Sequence, residues 1–397
     1  MDPASKAKPK SPPSKSTSPG KQKTRKKHKK QRPIHPAPAA TISAAEALQP
    51  IFTPVDISEA STALEKAVIE EPPKPPPAED LVIDLSGGQP VPPEGQLALC
   101  TELILSDSKL TVLPIAPSTL SVLRRLDVSS NALTALPAEL PASLETLEIY
   151  SNKIKELPAS IGTLSALTTL NCFNNQLRKL PPAIGTLTAL TEVNIAANKL
   201  MMLTDDHFKG WSNVTVLNLQ DNNLVRLGSL EPLASLEELR IMANNLEELP
   251  KLGSHPSLTV LEAHKNRIGS IPDDYFNSTP SLARVSIYAN QLTALPTSLC
   301  SACPGLVGVQ AQENKLASLP DVAWPSTLET LFLQDNTTLT TLPAGLGQCA
   351  KLKRLNLGKL SLDGPSKALA EKIKKKILEQ EGGIFWSTSG EMMKSAK

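Results

Sequence analysis

Three groups of residues have the types and spacing that chemistry needs. Cys300-Ser301-Ala302-Cys303 has the spacing of half a zinc site or of a redox dithiol. Asp205-Asp206-His207-Phe208 and Asp273-Asp274-Tyr275-Phe276 set paired carboxylates beside an aromatic, the raw material of an acidic or metal cluster. Lys23-Thr24-Arg25-Lys26-Lys27-His28-Lys29-Lys30 is dense enough to contact phosphates through counterion release or to act as a nuclear-import signal. Each group lacks the rest of its machinery. There is no second cysteine pair, no phosphate loop, no nucleophile elbow, and no aromatic residue interleaved with the lysines for base stacking. The sequence therefore predicts no catalytic residues, no metal and no cofactor.

What positions these residues is a repeat. Asn131, Asn152, Asn175, Asn198, Asn222, Asn244, Asn266, Asn290, Asn314 and Asn336 recur at intervals of 21 to 24 residues, each in the frame Leu-x-x-Leu-x-Leu-x-x-Asn-x-Leu. A unit of this length with one short strand cannot bury its own apolar face, so neighbours must stack into a continuous core. The frame runs through twelve repeats whose first apolar positions are Cys100, Leu123, Leu144, Leu167, Leu190, Val214, Leu236, Leu258, Leu282, Leu306, Leu328 and Leu352. Ser108 and Leu360 replace the asparagine at the two ends, as expected of terminal repeats.

Within a repeat, pairs such as Leu126 and Val128 or Leu217 and Leu219 alternate with polar residues, the period of a half-buried strand. The strands are expected to form a parallel sheet. An asparagine carboxamide donates and accepts at once, so a stacked column of them can satisfy the backbone of the turn that leaves each strand. Leu-Pro pairs such as Leu157-Pro158 and Leu180-Pro181 then send the chain around the outer face. In this frame the Asp-Asp-aromatic segments read as helix starts that turn Phe208 and Phe276 into the core. Cys100 and Cys172 fall in inward-facing columns, and Cys303 and Cys349 in the column of Leu120, Leu164, Leu187, Trp211 and Leu233, so all four read as core.

The chain divides by composition. Half of its 36 prolines lie before residue 94; residues 1–33 hold 12 Lys or Arg against Asp2 alone, and residues 41–80 hold eight acids against Lys66 and Lys74. Residues 1–80 are read as a disordered leader, basic and then acidic and proline-rich. Within it, residues 56–71 place Ile57, Ala60, Leu64 and Val68 on one helical face, and Pro72-Pro73-Lys74-Pro75-Pro76-Pro77 is a stiff polyproline segment. Residues 81–99 are expected to cap the first repeat, 100–363 to form the array, and 364–397 to form a capping helix and tail, with Ser366 opening the helix and Leu369, Ile373 and Ile377 on its inner face. The same helix, with Lys372, Lys374, Lys375 and Lys376, could instead meet a membrane or a partner groove. No segment has the length and apolarity of a membrane helix or the pattern of a signal peptide. With sparse cysteines, the expectation is a soluble intracellular monomer.

The spacers Leu157-Pro-Ala-Ser-Ile-Gly-Thr-Leu-Ser-Ala-Leu167 and Leu180-Pro-Pro-Ala-Ile-Gly-Thr-Leu-Thr-Ala-Leu190 resemble those of intracellular leucine-rich-repeat proteins of the Ras group, represented by SHOC2-like scaffolds and plant intracellular Ras-group proteins. The resemblance covers residues 97 to 360. It implies an α/β solenoid, a horseshoe of about 12 repeats whose concave parallel sheet binds another protein, commonly a small GTPase or a phosphatase. The irregular repeat lengths and the basic leader depart from the more regular relatives.

On that concave face the residues beside the strand leucines are expected to be exposed. One column collects Tyr150, Phe173, Met242, His264 and Tyr288; the adjacent one supplies Arg240, Glu262 and Phe332. Aromatics make up only 3% of the chain, so their alignment favours an interface over scattered surface apolarity. His264 by itself reads as a solvated side chain. The expected function is a noncatalytic scaffold, cytoplasmic or nuclear, binding a protein partner. The alternative is an adaptor tethered to nucleic acid, microtubules or anionic membrane by Lys23, Arg25, Lys26, Lys27, Lys29 and Lys30, with weak polyanion contact through residues 1–33.

Overall fold

A computed structural model describes residues 81–396 of the chain, and all of the leader, its basic run, the 56–71 segment and the polyproline segment included, lies outside them. Twelve three-residue strands, from Glu102–Ile104 to Arg354–Asn356, stack in sequence order and in parallel. Val82–Asp84 precedes them in the same sheet, and Ile384–Trp386 and Met392–Lys394 follow, giving fifteen strands. The register holds each central apolar residue against its equivalent, as Leu147 against Leu170 and Leu239 against Leu261. Beneath the sheet the leucine columns form one continuous buried core.

The outer side is built from 3-10 turns and extended chain, with little α-helix. Pro158, Pro181 and Pro343 sit in extended geometry and launch the turns Ala159–Thr163, Pro182–Thr186 and Ala344–Gln348. These turns pack closely: a side chain at Gly162 would meet the Ala183 carbonyl at 2.5 Å. Strands repeat about every 4.7–4.9 Å, and the connecting segments on the outer side bury the bulkier Trp211, Phe208 and Phe276.

The asparagine column performs the expected double duty at every step. Asn290 donates to the carbonyls of Ala263 and Ile287 and accepts from the Ile268 N–H, reaching back one repeat, and Asn131 through Asn336 repeat the pattern. The residue before each asparagine adopts positive φ, including Ala197, Ala243 and Ala289 at 51° to 53°. That strained conformation turns its N–H to the next repeat, as Ala289 donates to Gln312.

Phe208 and Phe276 are fully buried, as read from the sequence. At Asp205–His207 a single 3-10 turn is capped by Thr204 and His207, whereas the segment at 273–276 is a turn without helix. The four cysteines read as core are buried, and Cys300 with them. Burial pushes the thiols up, Cys300 to about 12 and Cys349 to about 11.

The terminal helix spans Gly364–Leu378 and buries Ala370, Ile373 and Ile377 against the last repeat. It begins before Ser366: Asp363 is the cap and accepts from the Ser366 N–H at 2.8 Å, while the Ser366 hydroxyl accepts from Leu342 and ties the helix to the array. After Gly382, which has positive φ, the chain returns into the sheet as an antiparallel hairpin, with Phe385 buried. The segment read as a tail therefore extends the array.

Candidate protein-interaction face

The strand residues whose side chains leave the core form the face, and short-range hydrogen bonds aim them. Asp127, Asn171, Asn194, Asn218 and Asn356 each accept the N–H two residues on, at 3.0–3.2 Å. These side-chain turns end each strand and orient the following residue, which in the case of Asn171 is Phe173.

Tyr150, Phe173, Met242, Tyr288 and Phe332 stand half-buried on the face, in the columns read from the sequence. Arg240, Glu262 and His264 do not match their expected exposure: they are 4%, 7% and 5% exposed. The reason is lateral crowding across adjacent strands. Arg240 is held by Glu238 at 2.5 Å on its own strand and lies 3.7 Å from Glu262 on the next. Burial raises the Glu262 carboxyl, opposed by the Arg240 guanidinium. Arg240 acts as a pin between two carboxylates.

His264 is likewise no solvated histidine. Its Nδ1 lies 3.1 Å from the Ser286 hydroxyl, which also donates to Gln310 at 3.1 Å, and the Tyr288 ring stacks over it at 4.3 Å. Burial, reinforced by Lys265, lowers its pKa to about 4, so it is neutral at physiological pH. Ser286 and His264 resemble a nucleophile and its base in spacing. With Ser286 3% exposed and the imidazole so weakly basic, the pair is structural.

At the first end, Glu148 lies two residues before Tyr150; its carboxyl is raised chiefly by burial, and among the described residues its Oε2 has no hydrogen-bond partner. At the far end, Phe332 meets Trp386 edge to face at 5.8 Å. Trp386 is the face residue that the sequence reading missed. Its signal was the apolar Ile384-Phe385-Trp386 run after Gly382-Gly383, which lies outside the asparagine frame.

A second depression, about 1070 Å³, opens on the outer side, lined among others by Leu227, Glu248, Lys251, Asp274 and Tyr275. It arises where two 22-residue repeats lie between the longer ones that carry the Asp-Asp-aromatic segments. Several of its polar groups are already engaged: Lys251 with Glu231 at 2.7 Å, Asp206 with Lys209 at 2.5 Å, and the Tyr275 hydroxyl with the Pro250 carbonyl. The carboxylates serve local structure, and the sheet face is the better candidate.

Comparison with known proteins agrees with this architecture. Residues 188–246 match the family model described as Leucine rich repeat, and residues 142–183 match Leucine Rich repeats (2 copies). The chain is similar to lumican of Rattus norvegicus, 28% identical over 163 residues that cover 40% of this chain and 34% of that one. It is similar to keratocan of Danio rerio, 26% identical over 161 residues, 40% and 33% of the two chains. It thus spans about a third of the length of these curated relatives. Among solved structures, YopM from Yersinia enterocolitica WA-314 is 28% identical with a TM-score of 0.52, covering 69% of this chain and 52% of that one. A Toll–Spatzle complex from Drosophila shares the fold at 19% identity and a TM-score of 0.56, covering 72% and 46%. The fold is a leucine-rich-repeat solenoid.

Proposed function

We propose that this leucine-rich-repeat chain is a noncatalytic scaffold that holds a partner protein against the open face of its sheet. The observation that carries the proposal is the placement of Tyr150, Phe173, Met242, Tyr288, Phe332 and Trp386, half-buried, on one rigid face. Aromatic side chains lose little entropy when covered, and together with Met they are enriched at interfaces. His264 supports Tyr288 from below, and Arg240 lies beside Glu262 on the adjacent strand. The Toll–Spatzle structure, which shares the fold, is a complex between proteins. The spacer resemblance to Ras-group scaffolds supports a small GTPase or a phosphatase as partner, and the undisulfided cysteines support an intracellular site, cytoplasmic or nuclear.

The test is quantitative affinity capture with wild type beside Tyr150→Ala/Phe173→Ala/Tyr288→Ala/Trp386→Ala, both checked for unchanged folding. The specific partners should be lost from the variant, and an affinity measured with the purified partner should fall by at least tenfold. An identical captured set with undiminished affinity would sink the proposal. The basic leader supports a second reading, an adaptor tethered to a polyanion. Salt-sensitive binding that vanishes on deleting residues 1–33 while the face variant still binds would favour it.

A further inference from the structure

Among the described residues, the first edge of the sheet is open and largely apolar, and its own backbone register makes it self-complementary. Val82–Asp84 pairs on one side only among the described residues, with Glu102–Ile104. Along this segment the odd-numbered residues face that neighbour: the Leu81 carbonyl accepts from Thr101 and Glu102, Leu85 donates to Ile104, and Gly87 donates to Ser106. In a parallel pair the intervening residues turn their N–H and C=O to the other side. Val82 and Asp84 therefore present two donors and two acceptors to the open edge.

The cap around this edge is unlike the other end of the array. Leu81, Val82, Val91 and Leu99 are 39%, 49%, 44% and 68% exposed, and with Val112 and Val122 they make six of the ten most exposed large apolar side chains among the described residues. A terminal repeat needs a polar outer surface to stay soluble. At the opposite edge, Met392–Lys394 carries the lysine that blunts an exposed strand, whereas Val82–Asp84 carries no lysine and its one charge, Asp84, stands at the end of the strand.

We infer that this edge pairs with the same edge of a second copy, antiparallel about a two-fold axis through Ile83. In that register Val82 of each copy exchanges its N–H and C=O with Asp84 of the other, so the outward groups are satisfied. Each carboxylate then lies opposite a valine, and like charges do not meet. The two-fold axis runs normal to the sheet, and two-fold, isologous closure is the commonest symmetry of homo-oligomers. The two sheets become one, with their interaction faces on the same side. A dimer built this way presents the face twice and binds a bivalent or clustered partner with avidity.

The experiment is light scattering on the full-length chain over a range of concentrations, repeated for Val82→Pro and Val82→Lys. Val82→Pro removes the outward N–H and leaves the inward register with Glu102–Ile104. Wild type should give about twice the 42.4 kDa mass of one chain, and both variants one chain with unchanged circular dichroism. Ile83→Cys supplies an independent readout: residues on the two-fold of such a pair have Cα atoms about 4.5 Å apart, within disulfide reach. Mild oxidation should link this variant into dimers. A wild type that is monomeric throughout overturns the inference. So does a dimer that survives both Val82 substitutions, or one in which Ile83→Cys fails to cross-link.

Discussion

Tyr288 lies face to face on His264, ring centroids 4.3 Å apart and planes 11° from parallel, joining the exposed layer of the sheet face to the buried network beneath it. Through His264 the tyrosine rests on Ser286 and Gln310. A partner that covers Tyr288 thus meets a surface already ordered from below, and little side-chain freedom remains to be lost on binding.

The buried imidazole makes stability depend on pH. Its pKa is about 4 in the folded chain against 6.5 ordinarily, so between these values the unfolded state binds a proton that the native state does not. The associated stability is fully present above about pH 6.5 and is lost as pH falls to the folded value, by at most roughly 3 kcal/mol. Glu262 works in the opposite sense, because burial raises its pKa and acidification relieves it. Denaturant melts at pH 7 and pH 4.5 should show a smaller loss for His264→Gln than for wild type. Equal losses would place the proton elsewhere.

The asparagine ladder should be graded by burial. Asn290→Asp keeps the acceptor for Ile268 but removes the donor to Ala263 and Ile287, leaving buried carbonyls unsatisfied. The expected cost is about 1–3 kcal/mol by chemical denaturation at neutral pH. Asn131 is more open to solvent, and Asn131→Asp should cost less because water can replace its donors. Equal costs at the two sites would contradict this account.

Positive φ at Ala289 gives a test of backbone strain. Ala289→Gly removes the clash of Cβ with the carbonyl while loosening the unfolded chain, so its net effect should be within about 1 kcal/mol. Ala289→Val should destabilise by about 2 kcal/mol, since β-branched side chains resist this conformation. The midpoint of urea unfolding for the two variants decides the order.

All five thiols are buried, and Cys300 and Cys349 are pushed to about 12 and about 11. The native chain should therefore react slowly with a thiol-specific disulfide reagent at neutral pH, and five thiols should titrate rapidly in denaturant. Fast reaction of Cys300 or Cys303 in the native state would revive the dithiol reading of Cys300-Ser301-Ala302-Cys303.

The repeat, the inward leucines, the parallel sheet and the role of each asparagine were legible because each follows from one local rule applied every 21 to 24 residues. Phe208 and Phe276 were placed correctly for the same reason. The start of the last helix was not, because Asp363 and Ser366 are both good caps, and the bond from Leu342, in the preceding repeat, gives the Ser366 hydroxyl another task.

By itself, the sequence determined which side chains point away from the core, since a strand alternates whatever its neighbours are. Only the tertiary structure decided which of them solvent can reach. Arg240, Glu262 and His264 belong to outward columns, yet adjacent strands bring Arg240 against Glu262, and Ser286 and Tyr288 against His264. Burial there is set by contacts between repeats, which no single repeat encodes. The same holds for Trp386, whose position beside Phe332 depends on a chain reversal after the last helix.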